Sequence, residues 1–469
     1  MRVNLFATPP TPAKKVEPQA APAVPEVKPA QEAYDEQGTD SKDPASVAHA
    51  DEGEVISLEE ASIILGDARV LAGEIGRDLS ESERVIQISD ALEDLAVVAR
   101  DIKAATPAEA FLIELVGQTA TAGTEVLPEE VIPAMESFIG MSIATEGIIE
   151  TARRIWEAIL NFIKKIWSKI RDFYRVTVVT KKYKATLLEL RQAVRAVGEA
   201  HELKKTFNVT GATHGLIPQM YSSNVWEHLN TEMTHFVKLD DFVFKDYATA
   251  VLKSGAAITE AISQFDPKIP EKSADDLKDK LTGVLIDVPS EYTANGFIGS
   301  GHLRFQKHER VHGESADVAL ERIRLSGLKF TKGDVPKTVE RGQDVLQGIP
   351  AGTEMEMEQL LDHADACLEV LTSFYAQYVN QFYKTADDCQ DASVKASKEM
   401  ELLDKAEFGD KSVGYYRSML NFNSAFANWT YEPFVPMYHH TLRVVNSIFI
   451  LVRGSLSCYK NGVQAPQRA

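Results

Sequence analysis

The chain has 469 residues, 44% hydrophobic and 25% charged, with a formal net charge of −19. It is too apolar to be wholly disordered and long enough for two or three domains with a real core. The net charge argues against a general DNA coat. Three cysteines (Cys367, Cys389, Cys458) are too few for a disulfide scaffold and fit a reducing compartment.

No run approaches the roughly 18 uncharged apolar residues of a membrane span. The most apolar stretch, 445–452, is short and flanked by Arg443 and Arg453. Residues 1–12 lack an apolar signal-peptide core, so secretion by that route is not expected. Charge is lopsided. Residues 1–146 hold 28 acids against 10 bases, a net of −18, and the remainder is almost neutral at −1. Such asymmetry marks either a segment with its own task, such as a removable leader, or an acidic soluble N-terminal domain.

Residues 1–56 form the first expected unit. Eight prolines fall within the first 50 positions, among Ala, Glu, Lys and Gln, and predict a disordered acidic arm. Residues 57–146 read as an acidic helical region. Ser57 and Glu60 make a capping-box pattern, and Ile64, Ala68, Leu71 and Ile75 follow at helical spacing. Further helices are expected from Ser82, with Ile86, Leu92, Leu95 and Val98, and from Thr106-Pro107, with Phe111, Leu112 and Leu115. The set makes a small bundle or folds against a partner.

Composition changes abruptly at Gly147. Residues 147–175 have no proline, and Ile155, Ile159, Ile163, Ile166, Ile170 and Phe173 recur at three- and four-residue steps. Trp156 and Trp167 broaden this stripe, while Arg153, Arg154, Lys164, Lys165 and Lys169 make the opposite face basic. Three readings stay open: a core or coiled-coil helix, a membrane-surface helix, and a helix that docks an acidic partner.

The rest of 147–280 is expected to be helical, with Leu187, Leu190, Val194 and Val197 on one face and a long helix over 226–264. Between 281 and 333 the texture turns toward β, and 283–288, 301–305 and 323–330 predict a small antiparallel insertion. Residues 334–469 return to helix, with Leu360, Leu361, Cys367, Leu368, Leu371, Phe374 and Tyr378 as one buried face. The fold class expected is therefore mainly α: a helical bundle with a small antiparallel β insertion behind a disordered acidic arm.

Phosphate-loop, dinucleotide, nucleophile-elbow and zinc-helix motifs are missing from the sequence. Asp362, His363, Asp365 and Cys367 are metal-ligand types. On a helix, however, the two aspartates share a side and Cys367 falls in the apolar stripe. His439-His440 reads as a packed or surface pair. No catalytic residues, metal or cofactor are expected, and an unrecognised enzyme is the third-ranked reading. DNA contact is expected to be weak and non-specific.

The junction Ser142-Ile143-Ala144-Thr145-Glu146-Gly147 runs into the segment carrying Arg153, Arg154, Trp156 and Ile159. This arrangement resembles the internal-head proteins of giant phiKZ-like tailed phages. The resemblance implies an acidic propeptide, removed by a prohead protease that cuts after glutamate with a small residue two positions earlier. Ala144 and Glu146 match that rule, and Gly147 would be the new N-terminus. Ala134-x-Glu136, Gly123-x-Glu125, Ala319-x-Glu321 and Ser397-x-Glu399 match it as well. The charge step favours Glu146. The implied role is a structural protein packaged in the phage head, made in the host cytoplasm. Its expected partners are the protease, the capsid lining, scaffold or other inner-head proteins, and packaged DNA. Before the cut, the acidic arm is expected to pair with the basic helix. After it, Trp156, Ile159, Ile163, Ile166 and Trp167 would dock another surface. A membrane-active or ejected effector using the basic amphipathic helix 147–175 is the alternative.

Overall fold

The computed structural model describes residues 57, 60–80, 164–175, 180–199, 204–210, 216, 225–266, 268–284, 288–293, 296–306, 316–332, 345–405, 421–422 and 425–459. The expected disordered arm, the leader helices after Ser82 and the junction 144–147 lie outside them. Helices dominate, as the sequence predicts, with two small antiparallel sheets where it predicts one.

Residues 60–80 form α1. Ser57 caps it: Oγ accepts the Glu60 N–H at 3.0 Å and its carbonyl accepts the Ala61 N–H at 2.9 Å. Ala61, Ala68, Ile75 and Leu79 are buried, and Ile64 and Leu71 pack beside them. Residues 164–175 form α2. Helix α3, Thr180–Arg195, buries Leu187, Leu190 and Val194 on the expected face.

Two long rods make the centre. The first is α4 (Val225–Asp241), a π-helical segment Phe242–Tyr247 and α5 (Ala248–Ser263). The second is α8 (Glu354–Phe374), a π-helical segment Tyr375–Val379 and α9 (Asn380–Lys405). Thr353 and Glu356 close a reciprocal capping box at the start of α8. The rods run parallel. Thr234 lies 3.4 Å from His363 and Thr249 3.0 Å from Tyr378, both pairs 129 residues apart in sequence. Thr259 meets Cys389 at 2.9 Å with a separation of 130. The seam therefore keeps its register across both π segments. The two π segments overlap along the seam, and beside them the Phe244 and Phe374 rings sit 4.9 Å apart.

Residues 425–431 form α10, and Phe434–Leu456 form α11. Pro436 falls in the first turn of α11, where a missing N–H costs nothing. Helix α11 crosses α8, and Tyr438 meets Phe173, Tyr174 and Phe244 at 6.1, 5.5 and 6.2 Å. Phe434 stacks on Phe374 at 5.3 Å. Asp240 of α4 is buried here. Burial pushes its carboxyl well above the ordinary range, against hydrogen bonds from Thr441 and Cys367.

Helix α6, Pro270–Val284, packs between α5 and α7 (Ala316–Arg324). The β expectation needs correction here. Gly283 and Val284 end α6, because Ala274, Leu277 and Leu281 bury at helical spacing. Ile323 likewise belongs to α7. Strands β2 (Gly301–Gln306) and β3 (Gly327–Lys332) do pair antiparallel, with Leu303 opposite Phe330. A second sheet lies outside the expected insertion: β1 (Thr206–Thr210) pairs with β4 (Val345–Pro350), with Phe207 opposite Ile349.

The β2–β3 pair, whose strands are joined through α7, is tied to the bundle by polar groups. Tyr247 accepts the Leu328 N–H at 2.9 Å, Trp429 donates to the Ser326 carbonyl at 2.6 Å, and Glu432 accepts the Phe330 N–H at 3.0 Å. Burial raises the Glu432 carboxyl to about 7, opposed by the Phe330 N–H and by Lys329. The folded chain thus holds a proton that the unfolded chain releases. That contribution is full below about pH 4.5 and is lost as pH rises through about 7. Glu432→Gln should flatten this fall, gaining up to ~3 kcal/mol relative to the parent between pH 4 and 8 in urea titrations.

A Cβ on Gly255 would lie 2.5 Å from the Phe426 ring and 2.6 Å from Thr385. Gly255→Ala should therefore cost about 1–3 kcal/mol despite the better helix propensity of alanine, read as a lower thermal midpoint.

Candidate functional site

The amphipathic pattern of α2 is real and its apolar face is already occupied. Ile166, Trp167, Ile170, Phe173 and Tyr174 are buried, while Lys164, Lys165, Arg171 and Arg175 are exposed. Trp167 sits edge-on to Tyr383 at 6.0 Å and against Phe426 at 5.9 Å. Arg171 lies 4.8 Å above the Tyr383 ring, a cation–π contact that covers the same pocket. Ile166 and Trp167 therefore find their partners inside the chain, in line with the core reading of this helix. Ala144, Glu146, Gly147, Arg153, Arg154, Trp156, Ile159 and Ile163 lie outside the described residues.

The basic face meets the acidic helix α1. Lys169 Nζ reaches Asp78 at 2.7 Å and Glu74 at 3.2 Å, one α1 turn apart. The hydrogen bond to Asp78 raises the lysine above its usual range. Burial opposes that shift, and Glu74 adds to it. At the other end of α1, Lys182 of α3 meets Glu60 at 2.6 Å. Glu60 thus serves α3 with its carboxylate while its N–H is held by Ser57.

Two further ties reach the backbone of α1. Tyr431 donates to the Ala72 carbonyl at 2.8 Å, and His439 Nε2 lies 3.0 Å from the Leu65 carbonyl. Tyr431 comes close because position 76 is glycine. A Cβ there would stand 2.9 Å from the tyrosine hydroxyl. Helix α1 thus lies in a trough walled by α2, α3, α10 and α11. Residues 60, 65, 72, 74 and 78 are gripped in turn, over about 27 Å of helix.

The other candidate clusters have structural partners. Arg191 reaches Asp362 at 2.7 Å and Asp365 at 3.2 Å, so the two aspartates do share a side. Cys367 is buried in the seam. His440 accepts from Arg443 at Nδ1 (3.1 Å), which leaves Nε2 to donate to the Ile298 carbonyl at 2.8 Å. Its neutral ring pins the β2 approach. Among the described residues, no group of three or more His, Cys, Asp or Glu side chains is placed to hold a metal. Also among them, no helix is long and apolar enough to cross a membrane.

Sequence reading anticipated acid–base pairing but not its residues. Glu60, Glu74, Asp78, Tyr431 and His439 were missed as members of the site. Ala68, Ala72 and Gly76, at four-residue intervals, were the available sign of a close-packed face.

Core and surface roles on α2 separate by substitution. Trp167→Ala should lower stability by about 3–5 kcal/mol, whereas Lys164→Ala should stay within about 0.5 kcal/mol, both by chemical denaturation.

A family model described as phiKZ-like phage internal head proteins matches residues 50–449. The match begins ahead of α1 and runs into α11, so it takes in the trough and the helix lying in it. No curated protein and no solved structure matches the chain. By that match over most of its length, the chain belongs to the phiKZ-like phage internal head proteins.

Proposed function

We propose that this internal head protein is made as a precursor whose acidic leader, residues 1–146, is severed after Glu146 by the prohead protease during head maturation. The observation that supports this most is the pairing of Lys169 with Glu74 and Asp78. Acids from the leader neutralise a base from the segment beyond the junction. Leader and body therefore form one electrostatic unit in the precursor, and severing the chain would alter that unit. The charge step from −18 to −1 falls at the same place.

In the mature form, Lys164, Lys165, Arg171 and Arg175 stand exposed on α2. A short cationic row of this kind suits contact with the capsid lining, scaffold remnants or other inner-head proteins. On packaged DNA it would give weak, salt-sensitive contact. Ile166 and Trp167 are spent on the chain's own core, and this favours a structural role over a membrane-active one.

Mass spectrometry of purified particles is the direct test. Chains beginning at Gly147, with upstream peptides missing, are expected. In particles carrying Glu146→Gln, peptides spanning 145–148 should appear in abundance. Intact junction peptides in wild-type particles would overturn the cut.

A further inference from the structure

We propose that the trough holding α1 is a recognition groove for an acidic amphipathic helix, which residues 60–80 fill in the precursor and an acidic helix of another head protein fills after maturation. The second half of this statement rests on the cleavage reading above. The groove itself does not.

The chemistry of the occupant can be read from the walls. Lys169 and Lys182 stand at opposite ends and take carboxylates from positions 78 and 74 and from position 60. Between them, Tyr431 and His439 meet main-chain carbonyls rather than side chains. The middle of the groove thus recognises helical backbone, and asks only that the facing residues be small. Ala72 and Gly76 meet that demand, and a Cβ at 76 already crowds the Tyr431 hydroxyl. The apolar floor takes Ala61, Ala68, Ile75 and Leu79, all buried. A fitting helix therefore carries small residues four apart in its middle, apolar residues on the same face, and acids at its two ends.

The attachment is of the kind that can be exchanged. Its ion pairs are partly solvent-exposed, with side chains between 13% and 36% accessible. Sequence separations of 359 and 374 residues join α1 to Tyr431 and His439. Once the intervening chain is cut, α1 is held by non-covalent contacts alone.

The test uses the full chain with a site for an added sequence-specific protease placed at 146, cut after folding and then freed of residues 1–146 by chromatography in high salt, with mass spectrometry confirming the loss of the fragment. A fluorescent peptide of residues 57–80 is then titrated in. Saturable binding to the cut chain is expected, at least about tenfold tighter than to the uncut chain, whose groove is filled in cis. A peptide with Gly76→Leu should lose binding. A peptide with Glu74→Lys and Asp78→Lys should bind roughly tenfold more weakly to the parent and recover on Lys169→Glu. The peptide variants leave the protein itself unchanged, and Lys169→Glu is checked for the parent's circular dichroism before its recovery arm is read. Equal binding to cut and uncut chains, indifference to Gly76→Leu, or absence of binding would each overturn the groove. Because the cut is made by an added protease, those failures leave processing at Glu146 standing. Uncut chains in particles would sink the processing and leave the groove intact.

Discussion

The Phe244–Phe374 contact governs the rest of the molecule. Two helical rods lie parallel, and each widens by a residue beside these rings. A single widened turn would rotate one rod's lower half relative to the other and break the seam. Two that overlap cancel, and Thr249–Tyr378 and Thr259–Cys389 keep the spacing set by Thr234–His363 to within one residue. The widened turns also carry Tyr247 to the β3 backbone and set Phe374 against Tyr174 and Phe434. Bundle, β2–β3 pair and α2 all take their positions from this one layer of aromatic packing.

On that frame the acidic segment sits as a passenger. Helix α1 adds its own buried stripe to the same apolar cluster, but its polar grip comes from four other elements. The lopsided charge of the chain is partly relieved at these contacts, since Lys169 and Lys182 turn toward carboxylates that would otherwise repel their neighbours. A head protein must stay dispersed while it is made and then pack densely in a crowded interior. A chain with its acids folded onto its bases meets both demands with one surface.

Much of this was legible in the residues. Ile64, Ala68, Leu71 and Ile75 announced α1, and the run from Leu360 to Phe374 announced α8, because burial follows helical spacing directly. The β segments were harder. Thr206–Thr210 alternates Phe207 and Val209 with polar residues, but five residues carry little signal, and its partner strand begins at Val345. Gly283 and Val284 looked like strand because their composition is β-like, yet Leu277 and Leu281 carry the helix through them. The π segments were not legible at all. They arise from where two aromatic rings must meet, a property of the pair of rods rather than of either sequence. In the site, the basic face of α2 was foreseen, whereas the grip of Tyr431 and His439 on α1 depends on helices at the far end of the chain.

That distance sets an order of events during translation. Helix α1 emerges from the ribosome early, and the tyrosine that holds Ala72 emerges 359 residues later. At bacterial elongation rates that delay is roughly 20 to 70 seconds. During this interval α1 can meet only part of its seat, since Lys182 follows Glu60 by 122 residues while Tyr431 follows Ala72 by 359. Vectorial synthesis therefore makes α1 the first of the described helices to leave the ribosome and one of the last to complete its contacts.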